Sequence, residues 1–238
     1  MNIQNPRNCY LLTIATAAII ALLFSSCISV ERRVKLEPDG SGTEELKMIF
    51  HREFYTTLGT FAVMFDSTGS MTGVMDSMYN VTSDLNKLRE QFSSTEGVTL
   101  IDTYNEIQPD SSNIVFVKYT FNNVEKIGQS MNKVNSDFED NPSKVTFESD
   151  DEDYIFRYLY ENTDTSMSGM GDSASNQMMA GLAGLFSEGR FLFELDAPFD
   201  VVSSNATSQT GRKLVWDLKM SDLMSQEKYL LEAVLKRE

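Results

Sequence analysis

The chain has 238 residues, with 35 acidic against 20 basic side chains and a formal net charge of −15. Neutralising phosphates takes clustered Lys and Arg, so this balance argues against nucleic acid as a partner. Two cysteines and one histidine leave little material for a thiolate metal site, a disulfide framework or a histidine-based catalytic centre.

The chain opens on an apolar run from Leu11 to Phe24, preceded by Arg7 as the only charged side chain and followed by Ser25, Ser26 and Cys27. Fourteen residues at ~1.5 Å each fall short of a ~30 Å hydrocarbon core. That length, with small residues behind it, is the layout of an export signal. The order Leu23-Phe24-Ser25-Ser26-Cys27 resembles the bacterial lipobox, in which the signal is cut before a cysteine that becomes lipid-modified, with Phe24 where Leu, Val or Ile is more usual. The alternative is an uncleaved N-terminal anchor with an incidental cysteine. Residues 1–26 are expected to be a lipoprotein signal peptide and residues 27–238 a single ectodomain, held to a membrane by acyl chains on Cys27. No other cofactor is expected. Without residues 1–26 the counts are 19 basic and 35 acidic, and no cysteine besides Cys27 remains.

Next, Val30, Arg32, Val34 and Leu36 alternate, Pro38-Asp39-Gly40-Ser41-Gly42 supplies a turn, and Leu46, Met48 and Phe50 alternate again. This pattern predicts a hairpin. Phe54, Leu58, Phe61 and Phe65 follow at helical spacing, then Val74, Met78, Val81, Leu85, Leu88 and Phe92 do the same. Residues 53–93 are thus expected to form a helical hairpin inserted into the domain. His51, at the strand-to-helix junction, is expected to be a partly exposed polar residue. The break near residues 66–73 contains Asp66, Thr68 and Ser70, an arrangement that resembles the metal-ion-dependent adhesion motif of von Willebrand factor A domains. Oxygen ligands of this kind suit a hard cation such as magnesium. The competing reading is a helix-breaking turn whose hydroxyls cap the second helix. That motif belongs to a fold of alternating strands and helices, whereas the pattern downstream is mostly strands.

Val98–Ile107 and Ile114–Phe121 flank the turn Pro109-Asp110-Ser111-Ser112-Asn113 and predict a second hairpin. Val124, Ile127, Met131, Val134 and Phe138, spaced by three and four, predict an amphipathic helix from Asn123 to Phe138 lying on a sheet face. A third hairpin follows, Val145 and Phe147 on one side of the acidic run 150–153 and Tyr154, Phe156, Tyr158 and Tyr160 on the other. The acidic run lacks the spacing of a calcium loop and is read as a solvated tip. The tyrosine-rich strand, together with Trp216, is a candidate lining for an apolar ligand, because rings carrying a hydroxyl serve cavities as well as cores.

Residues 161–189 change character: a polar Ser/Gly/Met linker leads into Met178-Met179-Ala-Gly-Leu-Ala-Gly-Leu-Phe186. Such a flexible Met/Gly segment packs on a core, or serves as a lid or membrane-touching flap. Beyond it Phe191, Phe193 and Leu195 alternate, then come Pro198, the segment Val201 to Ala206, a turn at Gly211, and a strand in which Leu214, Trp216, Leu218 and Met220 share one face. This layout resembles the C-terminal half of LppM-type bacterial lipoproteins, and the hairpin turn Pro38 to Gly42 just after Cys27 resembles the start of the same family. The resemblance implies an α+β fold in which a curved antiparallel sheet grips a helix, with the helical hairpin as an insertion. It also favours an edge strand for Tyr229–Leu235, a stretch whose own pattern leaves strand and helix open. It further implies a non-catalytic envelope module that binds lipid or another apolar ligand, and brings no catalytic residue. Ile28-Ser29-Val30 places no Asp directly after Cys27, which by analogy favours an outer-membrane position facing the periplasm. Protein partners are not legible.

Overall fold

In the computed structural model the described residues are 27–65, 81–127, 143–150, 152–161 and 189–237. The signal segment 1–26, the Asp66-Thr68-Ser70 break, most of the helix expected over Asn123–Phe138 and nearly all of the Met/Gly segment 161–189 lie outside them.

All three expected hairpins form. β1 (Ile28–Leu36) pairs with β2 (Gly42–Phe50), β3 (Val98–Ile107) with β4 (Asn113–Phe121), and β5 (Lys144–Ser149) with β6 (Asp153–Glu161), each antiparallel. Turn chemistry explains the first two. Asp39 accepts hydrogen bonds from the Ser41 amide and hydroxyl, and Asp110 does the same for Ser112, closing Asx-type turns. These bonds hold both carboxyls below their ordinary range. At Gly42 a Cβ would collide with the Lys35 carbonyl oxygen and the Phe121 ring. Glycine is what lets three strands meet there.

The sheet architecture departs from the expectation of one curved antiparallel sheet gripping a helix. The chain is mostly β, and its strands fall into two sheets. Besides the hairpins, β7 (Arg190–Asp196), β8 (Val201–Ser204), β9 (Ser208–Thr210), β10 (Lys213–Lys219) and β11 (Lys228–Lys236) complete the set. The large sheet has seven strands in the order β3-β4-β2-β1-β7-β10-β9, and the small one four in the order β5-β6-β11-β8. The pairing of β1 with β7 is parallel, so the large sheet is mixed. Alternation within a strand reports one buried face and says nothing about which sheet the strand joins, so the pattern alone does not separate two sheets from one. Strand β11 also differs from the expected edge: it lies between β6 and β8.

Three short helices occur among the described residues: α1 (Arg52–Phe65), α2 (Val81–Ser93) and α3 (Met220–Ser225). The first two sit where helical spacing places them, but they do not make the expected helical hairpin. Phe54 and Tyr55 of α1 pack with Ile28 in a small cluster joined by Cys27, Val30 and Phe50. Leu88 and Phe92 of α2 belong to the main core. Each helix is an accessory to a different part of a β framework, so α+β with a helical insertion is the wrong class. Helix α3 takes Met220, which alternation alone would have left on β10. Of the helix expected from Asn123, residues 123–127 are described. Asn123 Oδ1 accepts the Glu125 amide at 2.9 Å, an N-cap contact, and Val124 and Ile127 are buried in the main core.

The main core lies between the sheets. Phe193 of β7 faces Phe156 and Tyr158 of β6 across it, with ring centres 6.0 and 5.4 Å apart, and meets Trp216 of β10 at 5.8 Å. Tyr154 stacks between Phe147 and Phe199 at 5.2 and 4.8 Å. Offset stacks and tilted pairs of this kind are the favourable ring geometries.

Candidate functional site

Two places concentrate chemistry. The first is the start of β1. Cys27 is half-buried and stands directly before the first strand residue. Its carbonyl oxygen accepts the backbone amide of His51 at 3.0 Å, and the His51 carbonyl in turn accepts the Phe54 amide. The backbone of Cys27 is therefore stitched to the junction between β2 and α1. Around it Phe50, Phe54 and Tyr55 form an aromatic triangle, with centres 5.4 to 6.4 Å apart. His51 itself is half-exposed, as its junction position suggests.

The second place is inside the main core. Arg32, 2% exposed, and Glu44, fully buried, form an ion pair with Nε donating to Oε1 at 2.6 Å. Arg32 Nη1 donates to the Tyr158 hydroxyl at 2.7 Å, and the guanidinium also lies 5.2 Å from the centre of that ring. The Tyr119 hydroxyl donates to the other Glu44 oxygen. Tyr158 reaches Ser143 Oγ at 3.3 Å. Arg32 Nη2 is buried without a hydrogen-bond partner among the described residues. Register explains the assembly: Glu44 is directly opposite Tyr119 on β4, Arg32 lies diagonally across on β1, and Tyr158 descends from the facing sheet. Burial pulls the guanidinium's pKa down, but Glu44 and the two tyrosines outweigh it, so Arg32 is held charged above its ordinary value.

This cluster had a signal in the sequence. Arg32 occupies the apolar phase of β1, between Val30 and Val34, and Glu44 is in phase with Leu46 and Met48. A charge at an inward position in each arm of one hairpin, opposite in sign, points to a buried pair.

Of the candidate ligand-lining residues, Phe156, Tyr158 and Trp216 are brought together, buried in the stack around Phe193. Tyr154 and Tyr160 are half-buried at the two ends of β6. Trp216 is held by its indole N–H, which donates to Asn205 Oδ1 at 2.8 Å. The same oxygen accepts the Glu232 amide, and Asn205 Nδ2 donates to the Leu230 carbonyl. Asn205 thereby links β10 to β11 and pins the indole. Replacing Asn205 with alanine is expected to cost about 1–3 kcal/mol, the penalty for stranding these groups. A urea titration followed by emission of Trp216, the single tryptophan, would show it, and an unchanged midpoint would refute the assignment. Asp66, Thr68 and Ser70 lie outside the described residues. Among the described residues no group of three His, Cys, Asp or Glu side chains is arranged for a metal ion, and no helix is long and apolar enough to cross a membrane.

Several solved chains resemble this one, and one of them aligns along most of both chains. It is the NMR structure of the folded domain of LppM from Mycobacterium tuberculosis, 11% identical, with a TM-score of 0.42, covering 88% of this chain and 90% of that one. The likeness is weak. No family model and no curated protein matches the sequence.

Proposed function

We propose that the protein is a bacterial envelope lipoprotein: a β domain tethered to a membrane through acyl chains on Cys27, acting as a non-catalytic binding or structural module. The observation that carries the reading is the setting of Cys27. It follows an apolar run with the layout of an export signal, and its carbonyl is already bonded into the fold, so the anchor and the domain are contiguous. A stalk is absent between them, because Ile28 is the first residue of β1. The absence of Asp after Cys27 favours the outer membrane, facing the periplasm.

A lipid or other apolar ligand remains the second half of the proposal. Its place is at the ends of β6, where Tyr154 and Tyr160 are half-open. A ligand deeper in would have to separate rings already stacked across the core.

The test is chemical. Produced in a bacterium with an alkyne-tagged palmitate, the wild-type chain is expected to carry the tag and to partition with membranes, and Cys27→Ser to do neither. Mass spectrometry of the N-terminal peptide should find a diacylglyceryl cysteine; an unmodified thiol at Cys27 in the mature protein would end the proposal.

A further inference from the structure

The strand register sorts the outer face of the large sheet, the face turned away from the small sheet, into rows. Nearest Cys27, Ser29, Ile49, Ile114 and Glu106 lie side by side on β1, β2, β4 and β3. In the next row Glu31, Lys47, Phe116 and Tyr104 are adjacent, and Phe116 and Tyr104 stack with centres 4.8 Å apart. Tyr104 is 39% exposed, and Ile49, Ile114 and Phe116 are half-buried. Farther from Cys27 the apolar character stops. The third row is Arg33, Glu45, Lys118 and Asp102, with Lys118 bonded to Glu45 at 2.8 Å. An apolar patch thus occupies one end of a sheet face whose other rows are charged, and it is the end where the chain emerges from Cys27.

Charge separates this face from the rest of the molecule. The chain carries a large negative excess, yet on this face of β1, β2, β4 and β3 the acids Glu31, Glu45, Asp102 and Glu106 are balanced by Arg33, Lys35, Lys47 and Lys118. A surface that approaches phospholipid headgroups closely has to be free of net negative charge, and contiguous exposed apolar side chains mark contact sites.

We infer that the Ile49, Ile114, Phe116 and Tyr104 patch is a bilayer-contact surface that lays the anchor end of the large sheet on the membrane. The inference rests on the reading of Cys27 as the lipid anchor, because that places a bilayer within a residue or two of this end and leaves no stalk to lift the domain away. Rings and branched aliphatics enter the headgroup region, and the charged third row stays in water. Strand β3 then descends toward the membrane, with Thr99 four ladder steps, ~14 Å at ~3.4 Å per step, from Tyr104.

The experiment is a pair of single-cysteine variants, Tyr104→Cys and Thr99→Cys, made in the full chain with its export segment. Each is labelled with a nitroxide after extraction and reconstituted into vesicles of phosphatidylethanolamine with a minor share of phosphatidylglycerol. Both positions are exposed, so both variants are expected to fold. With Cys27 acylated and Cys9 removed with the signal, each chain takes up one label. At residue 104 the label should be reached by dissolved oxygen and shielded from a water-soluble nickel complex, with the oxygen-to-nickel ratio several-fold above that at residue 99. Equal access of nickel to both positions on singly labelled protein overturns the contact surface while leaving the anchor intact. Two labels per chain mean a free Cys27 thiol, which overturns the anchor reading and this inference with it. Shielding from both reagents, with spin–spin broadening that grows with protein density, assigns the patch to a second copy and overturns the bilayer.

Discussion

Replacing Glu44 with leucine is expected to destabilise the domain by about 3–5 kcal/mol, the loss found when one partner of a buried ion pair is removed. The size follows from what stays behind. Arg32 is buried, and a guanidinium stays protonated in proteins, so it cannot escape by losing its proton. Without Glu44 its hydrogen bonding is reduced to the Tyr158 hydroxyl, since Nη2 already has no partner among the described residues. The Tyr119 hydroxyl loses its carboxylate as well. The double variant Arg32→Met with Glu44→Leu removes both charges and fills similar space. It should be more stable than Glu44→Leu alone, because replacing a whole buried pair by apolar side chains is often neutral or stabilising. Urea titrations of the wild type, two singles and the double form a thermodynamic cycle. Near-additive singles, with coupling within about 0.5 kcal/mol, would show that the pair does not act as a unit. The natural chain keeps the pair although an apolar core would serve stability as well. Its position suggests what it contributes: it joins β1, β2 and β4 of one sheet to β6 of the other through fixed donor and acceptor geometry, which apolar contacts do not provide.

The second large effect is expected at Phe193. This fully buried ring meets Phe156 and Tyr158 of β6 in the facing sheet and Trp216 of β10 in its own. Truncation to alanine removes the shared partner and opens a cavity that three large rings cannot fill without leaving their own contacts. A loss of about 3–5 kcal/mol is expected, with Trp216 emission altered in the native state. The comparison is Val202→Ala on β8, an exposed aliphatic, for which a change within about 0.5 kcal/mol is expected. Similar losses in the two variants would mean that the core is not centred on Phe193.

Much of the local structure was legible. Period-two alternation around turn residues located β1 to β6, and spacings of three and four located α1 and α2. These signals are written in neighbouring residues, so they survive without any tertiary information. Pairing between distant strands is a different matter. The parallel contact of β1 with β7 joins Val30 to Phe191 and Val34 to Leu195, positions separated by most of the chain. Nothing near either strand declares the other. The same holds for β11: its alternation is clear, but its place between β6 and β8 depends on which edges the other strands leave open. The aromatic strand β6 was legible as a strand with rings on one face. Whether those rings line a space or fill one depends on what faces them, and only the fold supplies Phe193 and Trp216.

The candidate sites divide in the same way. Cys27 could be singled out from sequence because the features that define an export and lipidation signal are contiguous. The bilayer-facing patch could not, since Ile49, Tyr104 and Phe116 become neighbours only through the β2-β4-β3 register.

By itself the sequence determined the strand and helix segments, the turn chemistry, the acidic balance and the place of the candidate anchor, because each is carried by side chains a few positions apart. The tertiary structure alone decided that there are two sheets, that α1 and α2 serve different clusters, and that Arg32, Glu44, Tyr119 and Tyr158 form one buried group. Those outcomes depend on which buried faces meet, and a strand's own pattern reveals that it has such a face without naming the surface that will cover it.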